Sequence, residues 1–293
     1  MRTHSRRRTL VQALVACVSN GYVHGFAAGK VFGGSTKTVC VPWLNCYSCP
    51  GTLASCPVGS LQTVLGTRTR GVSFYVMGVL VLFGVVLGRL VCGLLCPFGF
   101  IQDLLYRIPL PKFELPRKVD RALRWLKYGI AVLLVIALPI ALRVATGQGA
   151  PLFCKLLCPA GTLEGALPLL AANPQLSGRI GSLFWWKLVV LAIVVLMAIC
   201  TRRPFCKYLC PLGAFYGLFN RVSLYQMSVE RSDCAGCHRC GSVCSMGLDP
   251  EREINSPECI RCGNCKAACP TSAIAAGFEL RVREALAARK DGK

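Results

Sequence analysis

Histidine is nearly absent from this chain. Its 293 residues include three histidines, His4, His24 and His238, and only His24 falls within an apolar segment long enough to cross a bilayer. A haem b held between two membrane helices needs one axial histidine from each helix. This scarcity excludes a bis-histidine haem held by this chain alone.

Acidic residues are also scarce, at 13 against 34 Lys and Arg, which gives a formal net charge of +21. Such a charge could serve nucleic acid, but no nucleic-acid recognition motif accompanies it. The charge pattern favours a membrane protein instead: 24 of the basic residues lie in the terminal segments and residues 93–124, and 5 lie in residues 33–71 and 146–182. This positive-inside bias predicts a multi-pass protein of the bacterial inner membrane with both termini cytoplasmic.

Long apolar runs are abundant, and hydrophobic residues make up 54% of the chain. A membrane-spanning helix needs about 20 apolar residues. Four segments meet this length approximately: residues 10–32, 72–92, 125–145 and 183–200. The basic stretch that precedes the first segment resembles a twin-arginine export signal, but we interpret it as the anchor of a first membrane helix, because no convincing cleavage site follows.

Two matched cysteine runs lie near the C-terminus. Each has the spacing C-x-x-C-x-x-C-x-x-x-C, which is typical of a two-[4Fe–4S] ferredoxin in which the fourth cysteine of each run ligates the other cluster. Zinc is the weaker alternative, because it prefers C-x-x-C pairs separated by longer loops. The spacing therefore predicts cluster I on Cys234, Cys237, Cys240 and Cys269, and cluster II on Cys259, Cys262, Cys265 and Cys244.

These patterns predict the fold class and its division. The expected fold is an all-α membrane bundle of four transmembrane helices followed by a small α+β bacterial-type two-[4Fe–4S] ferredoxin domain. The bundle with its repeated motifs covers residues 1–222, the ferredoxin domain residues 223–280, and a basic tail residues 281–293.

The motif Cys-Pro-x-Gly occurs four times, beginning at Cys56, Cys96, Cys158 and Cys210, and the last three copies have another cysteine four residues earlier. Side chains at positions i and i+4 share a helical face with Cβ atoms about 5–6 Å apart. A disulfide needs Cβ atoms about 3.5–4.5 Å apart. In a regular helix, such a pair therefore suits two bonds to one metal or cluster better than an internal disulfide.

The predicted topology sorts these motifs between the two membrane faces. The cytoplasmic set could ligate a third cluster, with helix-end packing as the alternative. The outer set could hold a further cluster or form disulfides, since that compartment is oxidising. The cytoplasmic set is Cys92, Cys96, Cys206 and Cys210, and the outer set is Cys46, Cys49, Cys56, Cys154 and Cys158.

Polar residues in or beside the predicted spans are candidates for a quinol site. Asn20 and His24 share a helical face and could bond the oxygens of a quinone, with His24 accepting a proton. An ordinary interhelical hydrogen bond is the alternative. Arg89, Gln102 and Asp103, which flank the Cys92–Cys96 motif, offer a competing acid–base set. The alternative for Asp103 is that it is simply solvated or paired with a nearby arginine.

The predicted spans, the repeated motif and the terminal ferredoxin runs resemble the NapH/MauN group of ferredoxin-type membrane quinol dehydrogenases. They are also similar to the membrane portions of NosR-type and CcoG-type proteins. The most characteristic segments are Cys92-Gly-Leu-Leu-Cys96-Pro97 and Cys206-Lys-Tyr-Leu-Cys210-Pro211, and Asn45-Cys46-Tyr-Ser-Cys49-Pro50 looks like the outer loop of NapH-like proteins.

The resemblance implies that diffusible quinol from the membrane pool is oxidised and that electrons pass to a periplasmic ferredoxin-type protein or cytochrome. Two other hypotheses remain: reduction of a metal or disulfide outside the cell with cytoplasmic electrons, and a non-catalytic anchoring or assembly subunit. Quinol oxidation with a periplasmic acceptor faces one difficulty. The ferredoxin domain is expected on the cytoplasmic side, and a bilayer core about 30 Å thick is too wide for one efficient electron hop.

Overall fold

The computed structural model describes residues 2–67, 74–113 and 115–278, so the predicted basic tail at 281–293 lies outside the described residues. Most of the described chain is helical, with one two-stranded antiparallel sheet. The α-helices are α1 (Arg2–Ser19), α2 (Val23–Ala28), α3 (Pro57–Gly66), α4 (Phe74–Leu87), α5 (Pro97–Leu105), α6 (Arg117–Thr146), α7 (Leu152–Leu156), α8 (Leu167–Ala172), α9 (Ser182–Cys200), α10 (Pro211–Phe219), α11 (Arg239–Ser242), α12 (Pro250–Glu253) and α13 (Asn264–Ala268). Short π-helices cover Val91–Leu95, Ala131–Ala137 (inside α6), Gly161–Ala166 and Phe205–Leu209, 3-10 turns cover Ser35–Thr38 and Pro174–Arg179, and the strands are β1 (Tyr225–Val229) and β2 (Ile274–Phe278).

The predicted bundle of four transmembrane helices is wrong. Within the described part of the chain, two helices are long and apolar enough to cross a membrane: α6, with 30 residues, and α9, with 19 residues. The first predicted span is broken, because α1 ends at Ser19 and α2 has only six residues, ending at Gly29 with φ 59°. The second is cut short, because α4 has 14 residues, about 21 Å of helix, and Gly88 then takes a φ of 56°.

The two long helices expose much of their apolar surface. In each, 17% of the most apolar window is buried within the molecule. Val132 and Leu133 on α6 are 57% and 58% exposed, and Trp185 and Ile193 on α9 are 60% and 51% exposed. A core helix of a soluble protein would bury such side chains, whereas a large exposed apolar surface marks contact with a membrane or a partner.

The core forms around the cysteine motifs. Cys56, Cys96 and Cys210 have extended backbones, and the proline after each starts helix α3, α5 or α10 at its first turn, where a missing N–H costs nothing. The π-helices Val91–Leu95 and Phe205–Leu209 come directly before two of these cysteines. In these two motifs the first cysteine therefore lies in a π-helix and the second at the extended residue before the next α-helix, so the pair does not share one regular helix.

The ferredoxin-like part pairs β1 with β2 from Tyr225↔Phe278 to Val229↔Ile274 and carries α11 to α13 between the strands. It is fastened against the first turns of α6. The Arg124 side chain donates to the Met246 carbonyl at 2.8 Å, and the buried Lys127 and Arg89 both pair with Glu258. The two cations compensate the buried carboxylate, so this contact fixes the ferredoxin-like part at one end of α6.

Candidate iron–sulfur centres

Two groups of four cysteines each line a small cavity in the ferredoxin-like part. The groups cross over, because the fourth cysteine of each run joins the first three of the other. They have the same members as the predicted clusters I and II. Site I consists of Cys234, Cys237, Cys240 and Cys269, and site II consists of Cys244, Cys259, Cys262 and Cys265.

The backbone of both runs curls in the same way around the second cysteine. Gly236 and His238 flank Cys237 with φ of 62° and 53°, and Arg261 and Gly263 flank Cys262 with φ of 51° and 75°. Successive turns of this kind form concave nests of backbone amides that favour negative charge. The repeated geometry follows from the repeated spacing, and it suits an anionic group bound by thiolates.

A third group, site III, joins the second and fourth motif copies. Cys92, Cys96, Cys206 and Cys210 are all buried and line one cavity with Trp43, Leu44, Phe98 and Phe205 among its walls. The Phe98 and Phe205 rings pack edge-on with centroids 4.9 Å apart. Apart from the thiols and one arginine, the cavity walls are largely apolar, so water is excluded.

A fourth group, site IV, joins the first and third copies. The thiols of Cys46, Cys56, Cys154 and Cys158 lie within electrostatic reach of one another. A Cβ at Gly59 would lie 3.7 Å from the Cys154 sulfur, and one at Gly161 the same distance from the Cys46 sulfur. The glycine of each Cys-Pro-x-Gly motif in site IV therefore packs against a cysteine sulfur of the same site.

Cys49 does not join site IV, although the sequence grouped it there. Its thiol donates to Oδ1 of Asn20 at 3.5 Å. All 20 cysteines are described, and no two of them form a disulfide. The outer group therefore contributes four converging thiols to site IV rather than five.

The donor chemistry of sites III and IV fits a four-iron cluster. Burial raises the pKa of Cys46, Cys96 and Cys154 to about 12, with neighbouring thiols adding to the shift. Such thiols become thiolates when a metal displaces their protons. Four cysteines in an apolar cavity are the usual ligand set of a [4Fe–4S] cluster.

Two glutamines donate hydrogen bonds to cysteine sulfurs in sites III and IV. Sequence reasoning did not identify either of them as a partner of the cysteines. Gln102 donates from Nε2 to the Cys206 sulfur at 3.1 Å, and its Oε1 accepts from the amide of Phe205 at 3.2 Å. Gln62 repeats this in site IV, donating to the Cys154 sulfur at 3.3 Å and accepting from the amide of Phe153 at 2.9 Å. Hydrogen bonds to ligand sulfurs orient them and tune the potential of a bound cluster.

In the third and fourth copies of the motif, Glu164 and Tyr216 occupy the position that Gln62 and Gln102 occupy in the first and second copies. Glu164 accepts from the Cys46 amide at 2.9 Å, and Tyr216 donates to the Pro42 carbonyl at 2.8 Å. All four residues stand six places after the cysteine of Cys-Pro-x-Gly. That fixed offset is the sequence signal that could have found them.

Two fully buried arginines bind site III in reciprocal fashion. Arg89 donates to the Cys206 carbonyl at 3.2 Å, and Arg203 donates to the Cys92 carbonyl at 2.9 Å. Each stands three residues before the first cysteine of its own motif. Each cation thus ties one half of the site to the other.

The structure places the four candidate quinol residues in separate surroundings. His24 is exposed and packs edge-on against Tyr22, and Asn20 donates to the Ala16 carbonyl of its own helix. Asp103 pairs with Arg203 and Arg8. Although burial acts to raise the Asp103 pKa, these cations lower it overall, which makes Asp103 a poor proton acceptor.

Sites II and III are in direct contact through the backbone. A Cβ on Gly93, between the cysteines of site III, would lie 2.2 Å from the carbonyl oxygen of Ile260, between those of site II. Asn220 reinforces this contact by donating to the Cys259 carbonyl at 2.6 Å. Only glycine allows the two cysteine loops to approach so closely.

Sites III and IV are joined by two consecutive residues. Leu44 lines the cavity of site III, and the next residue, Asn45, directly precedes Cys46 of site IV. Consecutive Cα atoms are about 3.8 Å apart. These contacts link sites II, III and IV in succession, and site I shares both of its cysteine runs with site II. We call this series, in the order I, II, III and IV, the row of sites.

This fold and these sites define an iron–sulfur protein of the ferredoxin type. A family of 4Fe–4S binding domains matches residues 69–116, 129–167 and 182–227, and a second 4Fe–4S binding domain matches residues 252–275. The chain belongs to the NapH/MauN-type ferredoxin-like proteins, a group of iron–sulfur electron-transfer proteins, which confirms the resemblance seen in the sequence.

The ferredoxin-type protein NapH of Haemophilus influenzae is 28% identical over 90% of this chain and 85% of its own length. The ferredoxin-type protein MauN of Methylorubrum extorquens is 29% identical over 64% of this chain and 59% of its length. The regulatory protein NosR of Stutzerimonas stutzeri is 26% identical over 60% of this chain but only 22% of its own length. No solved structure matches the chain.

Proposed function

We propose that this protein is a membrane-bound electron carrier with a [4Fe–4S] cluster in each of its four sites, which takes electrons from quinol and passes them to a periplasmic redox partner. The observation that carries the proposal is the link between sites III and IV through Leu44 and Asn45. Together with the contact between sites II and III, it connects the ferredoxin-like part to site IV, which the first and third motif copies form.

The row of sites runs along the helix that could cross the membrane. Arg124, in the first turns of α6, contacts the loop of site II. At the other end, α6 stops at Thr146, and Gly149 donates to the carbonyl of Gly66, the last residue of helix α3. The first residue of α3 directly follows Cys56 of site IV. A helix of 30 residues is about 45 Å long, which exceeds the apolar core of a bilayer. Intermediate sites would divide this distance into short hops.

The chain's own residues hold and insulate this path. When bound, each [4Fe–4S] cluster would supply a one-electron carrier. Gln62 and Gln102 orient one thiolate in each of sites IV and III, and Phe98 and Phe205 keep water from site III. Quinol dissolves in the apolar phase that the exposed faces of α6 and α9 would contact, and the sequence resemblance to ferredoxin-type membrane quinol dehydrogenases implies quinol as the donor.

In a second candidate function, electrons enter from a soluble carrier at site I and leave at site IV. Cys237 of site I is exposed, so this end of the row is open to a soluble electron carrier. Electrons entering there could travel to site IV and reduce a metal or disulfide outside the cell. This version needs no quinol.

Oxidation of a quinol analogue by the protein in sealed vesicles, with an electron acceptor on the outer side, tests the proposal. We expect the double substitution Cys154→Ser with Cys158→Ser to abolish delivery, because it removes half of the ligands of site IV. The matched control, Cys17→Ser with Cys200→Ser, removes two thiols outside all four sites and should leave delivery intact.

Full delivery by the site IV variant would reject the proposed path. Delivery that depends on a reduced soluble ferredoxin and ignores quinol would support the second candidate instead.

A further inference from the structure

A large cavity lies beside site II, and Cys244 of that site forms part of its wall. Its volume is about 580 Å³, within the range of small-molecule sites. It opens between the start of α6, the segment after α9 and the ferredoxin-like loop that contains Cys244. Its size and position suit a ligand that touches both halves of the molecule.

The cavity is strongly cationic. Six Lys and Arg side chains line it against three carboxylates, and one of these, Asp120, is already engaged by Arg124, Lys207 and the Tyr208 hydroxyl. The surplus of positive charge favours an anion. The six cations are Arg117, Arg121, Arg124, Arg202, Lys207 and Arg252.

The cavity opens where both membrane-capable helices end. Arg117 and Arg121 belong to the first turns of α6, and Arg202 follows the last residue of α9 by two. Tyr106 and Phe113 supply apolar wall, and the Arg202 guanidinium lies 5.2 Å from the centre of the Tyr106 ring. Cations beside apolar wall at the end of such helices match a phosphate group attached to acyl chains.

We propose that this cavity binds the phosphate headgroup of an anionic phospholipid. The proposal rests on the membrane location in the proposed function. A bound headgroup would bridge Arg121 of α6 and Arg252 of the ferredoxin-like loop, because both line the same cavity. It would thus hold sites I and II against the membrane face.

The test uses the full-length, cluster-loaded protein in a nonionic detergent, stripped of co-purified lipid. Native mass spectrometry would count bound phosphatidylglycerol, phosphatidylcholine of the same acyl length, or inorganic phosphate added separately. We expect phosphatidylglycerol to bind with a clear preference, because its headgroup has a net negative charge and phosphatidylcholine has none.

The substitutions Arg121→Gln and Arg202→Gln should each weaken phosphatidylglycerol binding about fivefold, the effect of roughly one unit charge near a membrane surface. Arg121→Lys should keep the preference. The matched control Arg143→Gln, near the opposite end of α6, should also keep it.

Equal binding of the two lipids, or an unchanged preference in both glutamine variants, would overturn the proposal. So would saturation by inorganic phosphate without any advantage for the lipid, which would assign the cavity to a soluble phosphate compound. The iron content of the same samples is independent of these outcomes, so failure of the lipid site and failure of the four-cluster proposal are distinguishable.

Discussion

At the residue scale, the chemistry of the repeated motif extends beyond its cysteines. An arginine three places before the first cysteine and a hydrogen-bonding side chain six places after the second tie the two halves of a site together, as Arg203 and Gln102 do in site III. A buried charge that contacts the backbone of a ligand cysteine acts strongly on the cluster bound there, because the local dielectric constant is low. The two arginines of site III should therefore favour its reduced, more negative state.

The substitution Arg203→Gln tests this role. We expect it to lower the midpoint potential of one cluster by roughly 60 mV, equivalent to a tenfold change in a one-electron equilibrium, because Asp103 would keep only Arg8 as its close cation. Redox titration followed by EPR would measure the shift. Arg203→Lys should restore most of the potential, and the exposed Arg221→Gln should leave every signal in place.

If the Arg203→Gln protein keeps its full iron content and all of its potentials, the arginine only holds the fold together, and the tuning role is wrong.

At the element scale, helix interruptions rather than helices create the sites. In each cysteine pair of site III, the first cysteine lies within a five-residue π-helix and the second directly follows it, and the next helix starts at the proline. π-Helices are rare and often mark functional sites. The interruption at Val91–Leu95 also brings Gly93 against the loop of site II.

Gly93→Ala should damage this contact. Its Cβ would meet the Ile260 carbonyl at 2.2 Å, and forcing atoms into a packed interior costs about 1–3 kcal/mol. We expect a lower temperature for the thermal loss of cluster absorbance. Gly78→Ala on α4 is the matched control, because a Cβ there meets nothing within 4 Å, and it should not lower that temperature. Equal behaviour of the two variants would show that the close approach is unimportant.

The spacing of the cysteines indicated which of them group together, but not the contacts between residues far apart in the sequence. The grouping of sites I and II follows from the fixed cysteine spacing, and the two cysteine pairs of site III were grouped from their expected membrane face. Cys49 was misplaced, because nothing in the sequence shows its contact with Asn20. Predicted spans 125–145 and 183–200 lie within α6 and α9, whereas the first two spans, and with them the four-helix bundle, were wrong. Hydropathy does not register the end of α1 at Ser19 or the left-handed turn at Gly88, where the side chain of Asn220 packs.

At the scale of the whole molecule, the four sites form a row beside α6 instead of two separate groups on opposite faces. The ion pairs of Glu258 with Arg89 and Lys127 fix the ferredoxin-like part to this row. In the proposed function, clusters in sites III and IV would divide the wide gap between the two membrane faces. The central claim is that all four sites hold clusters.

Iron and acid-labile sulfide per chain, measured on the anaerobically purified full-length protein, test this claim most directly. Four four-iron clusters predict about sixteen irons and as many sulfides, and Cys154→Ser with Cys158→Ser should lower both to about twelve. The control Cys17→Ser with Cys200→Ser should remain at about sixteen. About eight irons in the unaltered protein, with no loss in the site IV variant, would contradict the account. The cysteines of sites III and IV would then hold no iron.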